Sequence, residues 1–200
     1  YGATRVEFLP FAFDPVDHCL HELAAEDYDI YGSDLAFVGK WWYERSAILE
    51  GLVESCQINI WGGGWEMLSS RSPLRPSVKD RLVLGSDMSK VFRASKISLN
   101  NLTRKPNRHG HLMRTFEIPA CGGFQLSERS EETLIFFEED KEIVCYGCLE
   151  ECLDKVKYYI SHETQRKKIV EKSYDRCLRS DYTYADRVKR VLEIYHSLCS

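Results

Sequence analysis

Residues 35–64 form the most regular part of the sequence, with Leu35-Ala36-Phe37-Val38-Gly39 at one end and Ile58-Asn59-Ile60-Trp61-Gly62-Gly63-Gly64 at the other. Both runs are short, apolar and closed by glycine, which is typical of buried strands. The apolar positions between them recur at helical spacing: Ile48, Leu49, Leu52 and Val53. This stretch therefore predicts a β-α-β unit.

The alternation of strands and helices continues along the chain. Short apolar runs predict strands at residues 97–99, 124–126 and 143–146. Helical spacing predicts helices over residues 88–94, 112–120, 149–160, 164–178 and 186–198. Repeated β-α units with short connections predict an α/β fold, namely a Rossmann-like parallel sheet with helices on both faces.

Residues 1–30 have a different character. The segment Phe8-Leu9-Pro10-Phe11-Ala12-Phe13-Asp14-Pro15 is aromatic and interrupted by proline, so it should run extended into a turn. We interpret residues 1–30 as a linker that precedes a domain at 31–200. The chain opens on Tyr1 rather than methionine, and we expect it to be part of a larger polypeptide.

Composition excludes several classes of protein. The 200 residues are 44% hydrophobic and 29% charged, which suits one compact domain. A formal net charge of −4 argues against a nucleic-acid-binding domain, because no basic face would collect phosphates. No apolar run approaches the roughly 20 residues that span a bilayer, so we expect no membrane span.

The eight cysteines favour a reducing, cytoplasmic location. Six of them are scattered in or beside predicted elements: Cys19, Cys56, Cys121, Cys145, Cys177 and Cys199. Cys145, Cys148 and Cys152 have a spacing that could hold zinc, but a second CxxC or a nearby pair of histidines is missing. Buried or incidental thiols are the favoured interpretation, and we predict no metal site.

Residues 107–124 carry the strongest indication of a ligand. They read as a loop, a short helix with Glu117 among apolar neighbours, and a glycine pair, Gly122-Gly123, before the next strand. A carboxylate in such a helix is costly to bury unless it receives hydrogen bonds. In a parallel sheet, ligands bind at the carboxyl ends of the strands, where glycine, cations and helix starts meet. This pattern indicates a nucleotide-type ligand.

Several segments resemble the C-terminal half of GT-B glycosyltransferases, most closely the CgeB-like branch with its glycosyl transferases group 1 domain. The resemblance runs through residues 31–39, 60–65 and 96–100, and its most specific part is 114–123. It implies that residues 31–200 are the nucleotide-sugar-binding domain, including a C-terminal helix at about 186–198. It also implies that residues 1–30 join this domain to a missing N-terminal acceptor domain.

The resemblance implies roles for individual residues. Basic ligands of a diphosphate correspond to Lys40 and Arg45, beside Gly39, although two ordinary exposed cations remain the alternative. A glutamate that binds ribose corresponds to Glu117. The donor substrate would be a nucleotide-diphosphate sugar, with no further cofactor. We see no DxD-like carboxylate pair in a convincing loop, so metal-independent transfer is expected, with retention the commoner outcome in the resembled group.

Three neighbouring positions complete the expected site. His109 replaces a glutamate that faces the transferred sugar in the resembled group, and it either donates to a sugar or phosphate oxygen or is a plain loop histidine. Gly110 lacks the Cβ that would keep backbone away from a phosphate. Arg114 lies one turn before Glu117, where it either reaches the diphosphate or pairs with Glu117.

Two functions of different class remain open from the sequence. The first is a glycosyltransferase donor domain that is inactive alone, because the cleft and any acceptor-activating group need the missing domain. The second is a non-catalytic nucleotide or nucleotide-sugar binding module with a regulatory or scaffolding role. A protein-interaction domain without a small ligand is a third reading, and the concentration of Lys40, Arg45, Gly110 and Glu117 at predicted strand ends argues against it.

Overall fold

A computed structural model describes residues 2, 5–79, 81–102 and 110–199, without the side chain of Cys199. In this part of the chain, six parallel strands form one sheet in the order β3-β2-β1-β4-β5-β6. The strands are β1 Leu35–Val38, β2 Ile58–Trp61, β3 Val78–Lys79, β4 Ile97–Asn100, β5 Gln125–Glu128 and β6 Val144–Tyr146. Helices cover both faces, so the predicted fold class is confirmed.

The helices follow the predicted alternation. They are α1 Ala25–Tyr31, α2 Tyr43–Leu52, α3 Gly85–Ala94, α4 Arg114–Ala120, α5 Glu131–Phe136, α6 Leu149–Ser161, α7 Glu163–Arg179 and α8 Tyr184–Cys199. Short 3₁₀ turns lie at Trp65–Met67 and Arg75–Ser77. Every residue of β1, β2 and β4 is buried, as expected for central strands covered on both faces.

Alternate residues of β1 enter two different cores. Leu35 and Phe37 pack in the core that includes Leu49 of α2 and Val156 of α6. Ala36 and Val38 face the opposite core, which includes Phe92 of α3 and Ile118 of α4. The sheet is therefore a central layer whose carboxyl edge carries the loops that build the site.

Residues 25–31 form a helix that the sequence pattern does not predict. They form α1, in which the Asp27 carboxylate accepts a 2.9 Å hydrogen bond from the Ala24 N–H and pairs with Lys90 of α3 at 3.0 Å. This helix is stabilised by tertiary contact with α3, which the local sequence pattern does not reveal. Residues 5–24 contain no helix and include a turn at 15–17, in agreement with the prediction.

The extended segment lies against the rest of the chain. Phe13 is buried, its N–H donates to the Tyr182 carbonyl at 3.0 Å, and its own carbonyl accepts from the Tyr184 N–H at 3.2 Å. The Arg187 guanidinium of α8 donates to the Pro10 carbonyl at 3.0 Å. These contacts hold the segment beside α4 and α8. In the described part of the chain, no helix combines the length and apolar character that a membrane crossing requires.

Candidate functional site

The crevice between β1 and β4 is the point where the order of strands reverses. The chain leaves β1 toward β2 on one side, and it leaves β4 toward β5 on the other. Open parallel sheets bind ligands outside the carboxyl ends of their strands at such a point. The residues that follow Val38 and Asn100 therefore define the candidate site.

Glycines shape the β1 side of the crevice. Gly39 follows β1, and its N–H donates to the Trp61 carbonyl at 2.9 Å. Gly62 has a φ of 134°, and a Cβ there would lie 2.3 Å from the Gly39 carbonyl oxygen. Both the positive φ and the lack of space exclude a side chain at position 62. Only a glycine there lets the loops after β1 and β2 approach each other this closely.

Arg45 of α2 turns back toward the end of β1. Its guanidinium lies 5.4 Å from the centre of the Phe37 ring, and its Nη1 donates to the Lys40 carbonyl at 2.7 Å. Its Nε is buried and has no hydrogen-bond partner within the described residues. Burial, with a smaller contribution from Arg114, lowers the pKa of Arg45 to about 10. The site thus contains a partly desolvated cation with an unused donor.

Lys40 supplies a second positive charge with more freedom. Its side chain is exposed, and its ammonium lies 5.7 Å from the centre of the Trp42 ring. The structure therefore brings Gly39, Lys40 and Arg45 together at one strand end. Of the two cations, Lys40 is an ordinary exposed side chain, whereas Arg45 is partly buried.

Arg114 connects the two sides of the crevice. It belongs to α4, and its Nε donates to the Val38 carbonyl at the end of β1, at 3.2 Å. Its Nη1 forms an ion pair with Glu117, one turn later. Arg114 is therefore paired with Glu117, and the same guanidinium lies at the end of β1.

Glu117 is deeply placed, with only 4% of its surface exposed. One carboxylate oxygen is paired with Arg114, and the other lies 3.7 Å from Nε2 of His18. The carboxylate is thus neither at the surface nor a helix cap. The sequence interpretation overlooked His18, because it lies in the segment assigned to the linker and no local spacing relates it to Glu117.

The turn before α4 depends on Gly110. Its φ is 124°, and its carbonyl accepts a 2.7 Å hydrogen bond from the Ser130 hydroxyl. Among the described residues, no atom lies within 4 Å of where a Cβ at this position would be, so the glycine serves the backbone conformation. The helix ends after Ala120, close to Pro119, as the sequence predicts. His109 lies outside the described residues.

A polar cluster at the ends of β4, β5 and β6 adds residues that were not named as site residues. The Asn101 side-chain amide donates to Glu128 at 3.0 Å and to the Tyr146 hydroxyl at 3.1 Å. The sequence contained one indication of this cluster, namely polar residues placed at the ends of apolar strand runs. Trp61 and Trp65 are both buried, which confirms that they pack in the core.

The cysteine cluster does not assemble a metal site in the described residues. Cys145 and Cys152 are buried, and burial raises the pKa of each thiol to about 12, whereas Cys148 is exposed. Among residues 2, 5–79, 81–102 and 110–199, no group of three or more His, Cys, Asp or Glu side chains is placed to hold a metal ion.

A cavity of about 670 Å³ lies at the opposite edge of the sheet from the crevice. Its wall includes Lys96, directly before β4, and Phe124, directly before β5, so it is at the amino ends of these strands. Doubly wound sheets bind their ligands at the carboxyl edge, so this cavity is not at the edge that the topology indicates.

Comparisons with known proteins agree with this architecture. The sequence profile described as "Glycosyl transferase-like" matches residues 20–193. No curated protein sequence matches the chain significantly. Sucrose-phosphate synthase from Thermosynechococcus elongatus has a similar fold, with 10% identity, a TM-score of 0.75, and coverage of 98% of this chain and 53% of that one.

Two further structures have the same fold. HepE from Anabaena, solved with UDP and glucose, is 12% identical to this chain, with a TM-score of 0.69. The match covers 93% of this chain and 55% of HepE. The C-terminal domain of LpcC, a glycosyl transferase group 1 family protein from Francisella tularensis, is 13% identical with a TM-score of 0.61. That match covers 86% of this chain and 99% of the LpcC domain.

The chain thus spans about half the length of the two longer proteins and nearly all of an isolated C-terminal domain. The profile match extends over most of the sequence, from within the segment before α1 into α8. The chain belongs to the glycosyl transferase-like family and has the fold of a GT-B C-terminal domain.

Proposed function

We propose that this chain is the donor domain of a glycosyltransferase and binds a nucleotide-diphosphate sugar in the crevice between β1 and β4. The observation that carries the proposal is Arg45, whose buried Nε has no partner in the described part of the chain. A buried donor on a cation is costly unless an acceptor reaches it, and an anion would supply both a charge and an acceptor.

The neighbouring residues suit a diphosphate. Lys40 and Arg45 lie at the end of β1, and the Arg114 guanidinium touches the same strand end through Val38. Gly110 has no side chain that would keep phosphate oxygens away from the backbone before α4. Three cations around one strand end favour an anionic ligand over a neutral one.

Glu117 is proposed to bind the ribose. A carboxylate can accept about four hydrogen bonds, and the pair with Arg114 leaves further lone pairs on both oxygens. Vicinal hydroxyls can donate to these positions, which would also offset the burial of the charge. His109, beside Gly110 in the sequence, is proposed to face the transferred sugar.

The proposed reaction is metal-independent transfer of the sugar, with retention of configuration. Lys40 and Arg45 would stabilise the negative charge that develops on the departing diphosphate, the electrostatic part of catalysis. The group that activates the acceptor is proposed to belong to a preceding domain, so the isolated chain would be inactive. The match to about half of two longer relatives supports this division.

Finer parts of the proposal rest on the sequence resemblance. Residues 1–30 are proposed to lead from the acceptor domain, and the subtype is proposed to be CgeB-like. The cysteines of the described residues are free, which supports a cytoplasmic location.

A non-catalytic nucleotide-binding module is the second candidate. It is favoured by His109, which stands where the resembled group has a glutamate that faces the transferred sugar. Such a module would bind the nucleotide without transferring a sugar. Assaying sugar transfer by the full-length polypeptide separates the two candidates.

A thermal-shift screen tests the proposed site. The chain is heated with UDP, GDP, ADP, TDP and their sugars, because a ligand at 100 times its dissociation constant stabilises the folded state by about 2.7 kcal/mol. We expect one nucleotide to raise the melting temperature of the wild type. Glu117→Ala should lose the shift relative to its own unliganded baseline, whereas the exposed control Glu54→Ala should keep it.

The stabilities of the unliganded proteins provide a second comparison. Glu117→Ala leaves the Arg114 guanidinium without its buried partner, so we expect a loss of about 2–3 kcal/mol of unfolding free energy in the absence of ligand. No shift with any nucleotide in the wild type, or equal shifts in wild type and Glu117→Ala, would contradict the proposed site.

A further inference from the structure

His18 lies in the segment before α1, yet its side chain is in the interior of the domain. Only 8% of its surface is exposed. The Asp14 N–H donates to Nδ1 of the ring at 3.0 Å. Because Nδ1 accepts this hydrogen bond, the proton of the neutral imidazole must be on Nε2.

The protonated nitrogen faces Glu117. Nε2 lies 3.7 Å from the carboxylate oxygen that is not paired with Arg114. This distance is longer than a hydrogen bond and is a direct electrostatic contact between an N–H dipole and a carboxylate. Glu117 is therefore approached by a donor on each oxygen, one from α4 and one from the segment before α1.

The other charged groups around His18 leave it neutral. Asp14 and Asp17 on its own segment and Glu117 on α4 raise its pKa, whereas Arg114 lowers it. Burial is the largest effect, and the net result is a pKa below the usual 6.5. At pH 7 the ring is thus a neutral donor whose tautomer is set by Asp14.

We propose that His18 is a positioning residue for Glu117, an inference that rests on the ribose-binding role proposed above. With Arg114 alone, the carboxylate could turn toward that guanidinium and away from the crevice. A second donor on the other oxygen fixes the plane of the carboxylate, so that its remaining lone pairs point where vicinal hydroxyls can reach them. The turn at residues 14–18 is then part of the nucleotide site.

Two isosteric substitutions separate positioning from a purely structural role. In His18→Gln the side-chain amide nitrogen reaches about as far as Nε2, so the donor toward Glu117 is kept and the acceptor for the Asp14 N–H is lost. In His18→Asn the amide oxygen replaces Nδ1, so the turn stays anchored and the donor toward Glu117 is lost. The dissociation constant for UDP, GDP and ADP is measured calorimetrically for the wild type and both variants.

We expect His18→Gln to bind within about threefold of the wild type and His18→Asn to bind about tenfold more weakly, because the electrostatic contact that orients the Glu117 carboxylate is lost. The reverse order, equal losses, or no loss in either variant would overturn the proposal while leaving nucleotide binding intact. Absence of binding in the wild type would instead overturn the proposed function, and this inference with it.

A measurement on the wild type avoids any dependence on how the variants fold. Histidine ¹⁵N spectra report which ring nitrogen carries the proton. We expect His18 to be the Nε2–H tautomer and its Nε2 resonance to shift when the nucleotide is added. A resonance that does not change on nucleotide binding would overturn the proposal.

Discussion

Arg45 has an unusual balance of interactions for a single residue. It is partly desolvated, its buried Nε has no hydrogen-bond partner among the described residues, and the nearby Arg114 repels it, so the position costs stability unless an anion is bound. Residues whose pKa values are perturbed by burial and a specific neighbour cluster at functional sites. The side chain therefore fits a binding role better than a role in holding the fold.

Replacing Arg45 with methionine should separate binding from stability. Met keeps the apolar contact with Phe37 but removes the charge, so we expect the free energy of unfolding to stay within about 1 kcal/mol of the wild type. Nucleotide affinity should fall by about tenfold or more, because a charge-assisted contact is lost. Chemical denaturation and calorimetric titration provide the two values.

Arg179→Met is the matched control, since Arg179 is an exposed arginine on α7. It should change neither quantity. A strongly destabilised Arg45→Met that still binds nucleotide normally would show that Arg45 is a structural residue.

The sequence indicated single residues by their positions in predicted elements. Lys40 follows β1 directly, Arg45 lies early in the next helix, and Glu117 stands among apolar residues of α4. The structure places Gly39, Lys40, Arg45 and Arg114 around one strand end, and the roles given to these residues remain predictions. The ion pair of Arg114 with Glu117 could be seen only in coordinates, because both alternatives for Arg114 use the same spacing to Glu117. His18 could not be found, because only the fold brings residues so distant in sequence into contact.

Secondary-structure elements were predictable when they were long enough to show a period. The helices α6, α7 and α8 and the strands β1, β2 and β4 appear close to their predicted positions. β3 has two residues, too few for any alternation to be visible. α5 was not predicted, although Ser130 caps it by accepting from the Thr133 N–H at 3.1 Å, and serine followed by two glutamates is a typical helix start.

One ion-pair network joins several elements at the β5–β6 edge of the sheet. Arg129 follows β5 and pairs with Glu139 at 2.7 Å and with Glu151 in the first turn of α6 at 2.8 Å. Glu151 also accepts from the Gly147 N–H at 2.7 Å. The Arg129 guanidinium is the main cause that lowers the pKa of Glu151 to about 2, and the two carboxylates raise that of Arg129.

This network predicts a specific loss of stability in acid. The pKa of Glu151 is lower in the folded state than its ordinary 4.5, so its contribution is fully present above pH 4.5 and is lost as the pH falls toward about 2. Glu151→Gln should therefore be less stable at pH 7 and lose less stability between pH 4.5 and pH 2. Urea denaturation at several pH values measures both effects.

Glu171→Gln, at an exposed position of α7, should follow the wild-type pH profile. An unchanged acid profile in Glu151→Gln would show that the network contributes little, as is common for pairs that are partly exposed.

For the molecule as a whole, topology decides where a ligand can bind. The order of strands places the ends of β1 and β4 side by side, although α2, β2, β3 and α3 lie between them in sequence. The fold class followed from the alternation of elements, but the pairing of these two ends required the strand order. This is why candidate residues could be named one by one from the sequence, whereas their mutual contacts could not.

The last helix presents an unusual surface. Its apolar residues are exposed along one side: Val188, Val191, Leu192, Tyr195 and Leu198. Its sequence resembles the C-terminal helix that in GT-B proteins packs back toward the other domain. We propose the same contact for this helix, because its apolar stripe is exposed in the described part of the chain.

An NMR titration of the ¹⁵N-labelled chain with UDP tests the central claim, that the crevice between β1 and β4 binds a nucleotide. We expect the shifted amide resonances to cluster at Gly39, Lys40, Arg114 and Glu117. The resonances around the cavity at the amino edge, such as those of Lys96 and Tyr174, should not move. Shifts confined to the amino-edge cavity, or no shifts with UDP, GDP or ADP, would contradict this claim.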